Sequence, residues 1–181
     1  VYEGSSLKAC ECSDKEAAEG RQREHGSRQA ICNDDGHGGL AQLSRQVQLL
    51  PLSEVQPGVY LARLPIVVGR KGTLEINSKV RQLRLSEEGG AFLVNDGKLF
   101  VTDTQVTGWR EQSNGPATFR SPKAFRPFLL SWGGTETYIV NTTMASLGYA
   151  KSKSYGVSIS QYTPNLARRM GRPEPTGWII G

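Results

Sequence analysis

The chain offers few of the residue types that carry proton or group transfer. His25 and His37 are its only histidines. Neither has a partner at an informative spacing, so both read as solvent-exposed side chains rather than as a base. Asp34-Asp35 stands in a glycine-rich stretch, where an Asx-type turn accounts for the pair better than acid–base work does. Cys10, Cys12 and Cys32 include no C-x-x-C pair and have no histidine at zinc-finger spacing. They read as unpaired thiols, and no metal site or cofactor is expected. No catalytic residue is assigned.

A basic run is more informative. Between Lys151 and Pro173 stand five cations (Lys151, Lys153, Arg168, Arg169 and Arg172) and no acid. Tyr155 and Tyr162 stand among them, and aromatic rings can stack on sugar faces. If Val157 and Ile159 point inward on a strand, Ser158 and Ser160 turn outward. The candidate contact residues for a polyanion are therefore Lys151, Lys153, Tyr155, Ser158, Ser160, Arg168 and Arg169. An ordinary solvated basic surface is the competing reading.

Charge along the chain agrees with a polyanionic partner. The net charge is +5, but residues 1–62 hold 6 basic and 9 acidic side chains, whereas residues 63–172 hold 16 and 7. The second stretch makes a positive field that suits nucleic acid, an anionic polysaccharide or a membrane surface. No nucleic-acid recognition motif accompanies the charge, so nucleic acid is not expected as a partner. No run reaches the roughly 20 apolar residues of a membrane span. The first residues, Val1-Tyr2-Glu3-Gly4, lack the features of a signal peptide.

The elements that would position these residues divide near residue 55. Residues 1–55 read as a helical or irregular segment, with short helices over 13–19 (Ser13 as N-cap, Glu16 three residues on) and 40–47. Pro51, Pro57 and Pro65 exclude regular helix over the next stretch. From Val59 onward the apolar period is two, as in Thr73-Leu74-Glu75-Ile76. Asn95-Asp96-Gly97 between two apolar runs has the form of a β-hairpin turn. A weak repeat argues against that hairpin. Phe92-Leu93-Val94 recurs as Phe128-Leu129-Leu130, and Phe100 to Val106 recurs as Tyr138 to Met144. Short strands that repeat with variable links suggest a β-solenoid whose coils bury their inner faces by stacking. Residues 155–162 and 177–180 read as strands of further turns. Trp109, Trp132 and Trp178 are expected in core or corner packing.

Four longer passages resemble the periplasmic mannuronan (alginate) C5-epimerases. They are Pro57-Gly58-Val59-Tyr60-Leu61-Ala62-Arg63-Leu64-Pro65-Ile66-Val67-Val68-Gly69, Gly90-Ala91-Phe92-Leu93-Val94-Asn95-Asp96-Gly97-Lys98-Leu99-Phe100-Val101, Arg126-Pro127-Phe128-Leu129-Leu130-Ser131-Trp132-Gly133-Gly134-Thr135-Glu136 and Ser152-Lys153-Ser154-Tyr155-Gly156-Val157-Ser158-Ile159-Ser160-Gln161-Tyr162. The resemblance runs from about Gln56 onward and is patchier upstream. It implies an all-β fold, the first coils of a right-handed parallel β-helix over 56–181, with Asn95-Asp96-Gly97 as a corner between coils. It also implies a periplasmic location, a much longer mature chain, and conversion of β-D-mannuronate to α-L-guluronate within alginate.

That reaction removes the proton at C5 and returns one on the opposite face. It needs a donor to neutralise the carboxylate, a base and an acid. The family's catalytic Asp-Pro-His-Asp motif has no counterpart here, so these residues are expected to be inactive alone. The implied partners are polymannuronate or alginate and proteins of the alginate secretion complex. The competing readings are a non-catalytic alginate-binding or scaffold module and a β-helix polysaccharide lyase.

Overall fold

The structure, a computed structural model, describes residues 52–148 and 155–181, together with the backbone of Ala9–Glu11 and Gln29–Gly39. Short strands dominate it. β1 (Ala9–Glu11), β2 (Gln29–Gly39), β3 (Leu52–Gln56) and β4 (Val59–Ala62) lead into β5 (Ile66–Ile76) and β6 (Gln82–Ser86). β7 (Leu93–Asn95), β8 (Lys98–Thr102), β9 (Gln105–Arg110), β10 (Gly115–Pro116) and β11 (Leu129–Ser131) follow. β12 (Glu136–Val140), β13 (Thr143–Ala145) and β14 (Val157–Ile159) precede one helix, α1 (Pro164–Met170), and the final strand β15 (Thr176–Ile180).

Parallel pairing between distant strands winds these pieces into a three-faced coil. On the first face, Ile66–Val68 of β5 pairs with β7, β7 with β11, and β11 with β14. On the second, Thr73–Ile76 of β5 pairs with β8, β8 with β12, and β12 with β15. The third face stacks β4, β6, β9 and β13. Each strand passes to the next face instead of folding back on its neighbour, and this is a parallel β-helix. β7 and β8 do not pair with each other, so Asn95-Asp96-Gly97 is a corner.

The weak repeat is the coil repeat. Leu93 is in register with Leu129, and Phe100 with Tyr138. The outward rings at these levels stack. Phe92 and Phe128 lie 4.8 Å apart at 7° and Phe100 and Tyr138 5.0 Å apart at 3°, so each pair adds aromatic contact along the coil axis. Asp103 and Asn141 share a corner and positive φ values of 51° and 46°. The Asn141 amide donates to Asp103 Oδ1 at 2.7 Å.

Alternation of in and out builds the core. Ile66, Leu93 and Leu129 line the first face, Leu74 and Leu99 the second, Leu83 and Leu85 the third, all almost wholly buried. The interior turns polar along the axis. Val68 is followed by Asn95 and Ser131 in register, and Leu99 by Thr137. These buried polar groups satisfy one another. Asn95 Nδ2 donates to Glu136 O at 3.0 Å and to Thr137 Oγ1 at 3.1 Å, and Thr137 Oγ1 donates to Ser131 Oγ at 2.8 Å.

The expectation for residues 1–55 is corrected at three places, where β1, β2 and β3 are strands. β2 pairs in parallel with β5 and carries β1 antiparallel, while β3 pairs antiparallel with β4. A glycine- and aspartate-rich strand gives little periodic signal. It is specified by the open edge of β5, whose unpaired backbone groups demand a partner. Asp34-Asp35 is likewise no turn, since it lies within β2 at a register shift between Asn33 and Asp35. The helices expected over 13–19 and 40–47 lie outside the described residues.

Candidate functional site

The outer side of the first face changes character along the axis. Its outward register is Val67, Val94, Leu130 and then Ser158. Two residues further along the chain, just past each strand, Asp96 and Trp132 give way to Ser160, whose amide donates to Ser131 O at 2.8 Å. An apolar strip thus ends in a hydroxyl-bearing surface at the fourth coil. Val157 packs against the core. A Cβ on Gly177 would come within 2.6 Å of Ile159 Cδ1, so Ile159 fills the interior space that glycine leaves. With both neighbours turned inward, Ser158 faces outward and is half-buried.

Two chain excursions flank this face. At the entrance, residues 111–128 leave the third face after β9. The Glu88 carboxylate holds their start, accepting from the Glu111 and Gln112 amides at 2.9 and 3.2 Å. Arg110 reinforces it with a two-pronged pair to Glu87 at 2.7 and 3.2 Å and a bond to Thr118 Oγ1 at 2.9 Å. This excursion carries exposed Arg120 and Lys123 and the 60% exposed ring of Phe119. Its end is tied down by Arg126 Nη2 donating to Leu147 O at 3.0 Å and by Gly148 N donating to Pro127 O at 2.6 Å.

At the exit, residues 160–175 leave after β14 and contain α1. Pro164 opens the helix in its first turn, and Gly171 closes it in a left-handed conformation, φ 59°. Both are ordinary start and stop signals. Arg168 and Arg169 lie in the last turn, where their charge suits the helix dipole. Both are exposed, and among the described residues neither makes an ion pair. Arg172 behaves differently: its Nη1 donates to Asp96 Oδ1 and its Nη2 to Asp96 O at 3.2 Å. Burial works against the Arg172 charge, but the bonds to Asp96 and Tyr162 outweigh it and hold the guanidinium above its ordinary value.

The sequence-based candidates are therefore only partly brought together. Ser158, Ser160, Arg168 and Arg169 belong to one face and its exit wall, and Tyr155, 75% exposed, precedes β14. Lys151 and Lys153 lie outside the described residues, as does His25. Of His37 only the backbone is described, in register with Thr73. Arg120 and Lys123 were missed because they sit in a loop without periodicity. α1 was missed although Pro164 and Gly171 mark its ends.

The tryptophans divide. Trp109 is nearly buried with the Arg84 guanidinium 3.7 Å above its ring, and Trp132 sits at a corner, 6.1 Å from Tyr162. Trp178 departs from the expectation of core or corner packing. It lies on the outward register after Phe100 and Tyr138 and is 56% exposed. Among the described residues no group of His, Cys, Asp or Glu is placed to hold a metal. No helix among them is long and apolar enough to cross a membrane.

The fold is a parallel β-helix whose first face carries Ser158 outward in the fourth coil and is followed by a helix with exposed Arg168 and Arg169. Over all 181 residues the chain is 75% identical to the mannuronan C5-epimerase of Pseudomonas putida, spanning 35% of that protein. It is 56% identical over 158 residues to mannuronan C5-epimerase AlgG of Azotobacter vinelandii, 87% of this chain and 30% of that one. The crystal structure of the periplasmic alginate epimerase AlgG matches with a TM-score of 0.82 at 56% identity, over 86% of this chain and 37% of that one. No protein-family model matches. In sequence and fold the chain is similar to a stretch of the mannuronan C5-epimerases, and it spans about a third of the length of these curated relatives.

Proposed function

We propose that this chain is the part of a periplasmic mannuronan C5-epimerase that seats the polyuronate along the outer side of the first face. The observation that carries the reading is the change from Val67, Val94 and Leu130 to Ser158 on one outward register. It is flanked by walls bearing Arg120 and Lys123 on one side and Arg168 and Arg169 on the other. Hydroxyls can bond sugar oxygens, and guanidinium groups match carboxylates in two-pronged geometry. Lys151, Lys153 and Tyr155 join the site in this proposal.

In the whole enzyme the reaction would convert β-D-mannuronate to α-L-guluronate by abstraction at C5 and reprotonation from the opposite face. The residues described here contribute only part of that chemistry. Arginines and serine hydroxyls can neutralise the carboxylate next to C5, which makes that proton more acidic. The groove's own carboxylate, Asp96, is engaged by Arg172 and is not placed as a base. The 181 residues thus bind polymannuronate without turning it over. Proteins of an alginate secretion complex are the second class of partner in this reading.

Proton NMR of polymannuronate incubated with the chain, together with a binding isotherm, tests the reading. Salt-sensitive binding with no guluronate signal is expected. Guluronate signals would instead place a base among these residues, and absence of binding would overturn the groove. Near-ultraviolet absorption from an unsaturated product would mark a lyase.

A further inference from the structure

The corner between the first and second faces lengthens from the second coil onward. In the second coil it is Asp96-Gly97, in the third 132–135, and in the fourth the sixteen residues 160–175 between β14 and β15. The long excursion folds back over the two corners before it. A Cβ on Gly133 would come within 2.8 Å of Tyr162 Cδ2, and one on Gly134 within 3.4 Å of Arg172 Cβ and of Pro173 Cδ. Arg172 then reaches past the third-coil corner to Asp96, and its side chain is only 4% exposed. Gln161 Nε2 donates to Glu174 Oε1 at 3.0 Å and draws the two ends of the excursion together. α1 lies between these tied ends and has no buried residue of its own. Its position therefore depends on the ties and not on packing of the helix itself.

We propose that Arg172 and Asp96 form a latch that holds residues 160–175 as the exit wall of the polymer groove and so presents Arg168 and Arg169 to the uronate carboxylates. This rests on the polyuronate reading above and deepens it. The three arginines have separate jobs. Arg168 and Arg169 contact the polymer, whereas Arg172 is a positioning residue whose charge is used internally. A buried guanidinium deprived of its carboxylate is strongly disfavoured, so loss of either partner releases the excursion and disperses the arginine pair.

Two readouts test the latch. Arg172→Gln and Asp96→Asn should speed trypsin cleavage after Arg168 and Arg169, and each should weaken polymannuronate binding about tenfold, about 1.4 kcal/mol. In a background carrying Arg168→Gln and Arg169→Gln, the same two changes should cause no further loss of binding. An equal loss in both backgrounds would mean that Arg172 supports the fold in general, and it would overturn the proposal. Unchanged trypsin and binding rates would overturn it as well. If the parent chain fails to bind polymannuronate, the polyuronate reading fails, while the trypsin rates still judge the latch. Asp96→Asn changes no volume and keeps the comparison available should Arg172→Gln fail to fold.

Discussion

Asn95 looks like a turn former in the sequence, and its buried amide does work that no turn propensity describes. Its Nδ2 bonds the next coil at Glu136 O and Thr137 Oγ1, and its Oδ1 accepts from Gly97 N at 3.0 Å. Asn95→Ala leaves these buried partners unsatisfied and should cost about 3 kcal/mol, measured by urea unfolding against the parent. Glu88 carries a pH prediction. Burial raises its pKa, but the amides of Glu111, Glu88 and Gln112 and the nearby Arg110 charge outweigh that and hold it below 4.5. A depressed carboxyl contributes stability that is full above its unfolded value and is lost as pH falls through the lower folded value. The fall in melting temperature of the parent below about pH 4.5 should therefore be shallower in Glu88→Gln, with the two curves a constant distance apart above that pH and converging below it.

Strands and corners follow a different logic, because a coil is stable only against its neighbours. Gly97 shows the closeness required: a Cβ there would lie 2.3 Å from Gly69 O and 2.4 Å from Gly72 O. Neither backbone oxygen can move without breaking the preceding coil. Gly97→Ala should cost about 3 kcal/mol or more. Gly90→Ala, at φ +69° but with nothing within 4 Å, should cost only about 1 kcal/mol. Paired thermal melts of the two variants check the contrast. Thr73–Ile76 of β5 and β6 were legible because the alternation of apolar and polar side chains survives in them. β2 was not, since its partner edge, and not its own pattern, makes it a strand. α1 shows the same limit: seven residues with no buried face leave no periodic stripe to read.

At the scale of the whole molecule, β15 exposes Trp178, Ile179 and Ile180 at 56%, 65% and 56%. Ile179 continues the inward register of Val101 and Ile139, so among the described residues β15 presents a core position and a strand edge without a partner. Such an edge templates pairing with another chain. The chain purified alone should self-associate, and Ile179→Lys should raise the monomer fraction in analytical ultracentrifugation. A monodisperse parent would count against this. The sequence by itself determined the inward and outward alternation, the coil repeat seen in Phe92/Phe128 and Phe100/Tyr138, and the outward placement of Ser158. These follow from local period and from short strands that recur. Tertiary structure decided that Asp96 belongs to Arg172, 76 residues away, and that one basic run divides into a buried latch and an exposed pair. Charge in a sequence carries no direction. Only the folded corner, stacking three coils within reach of one guanidinium, assigns each arginine its partner.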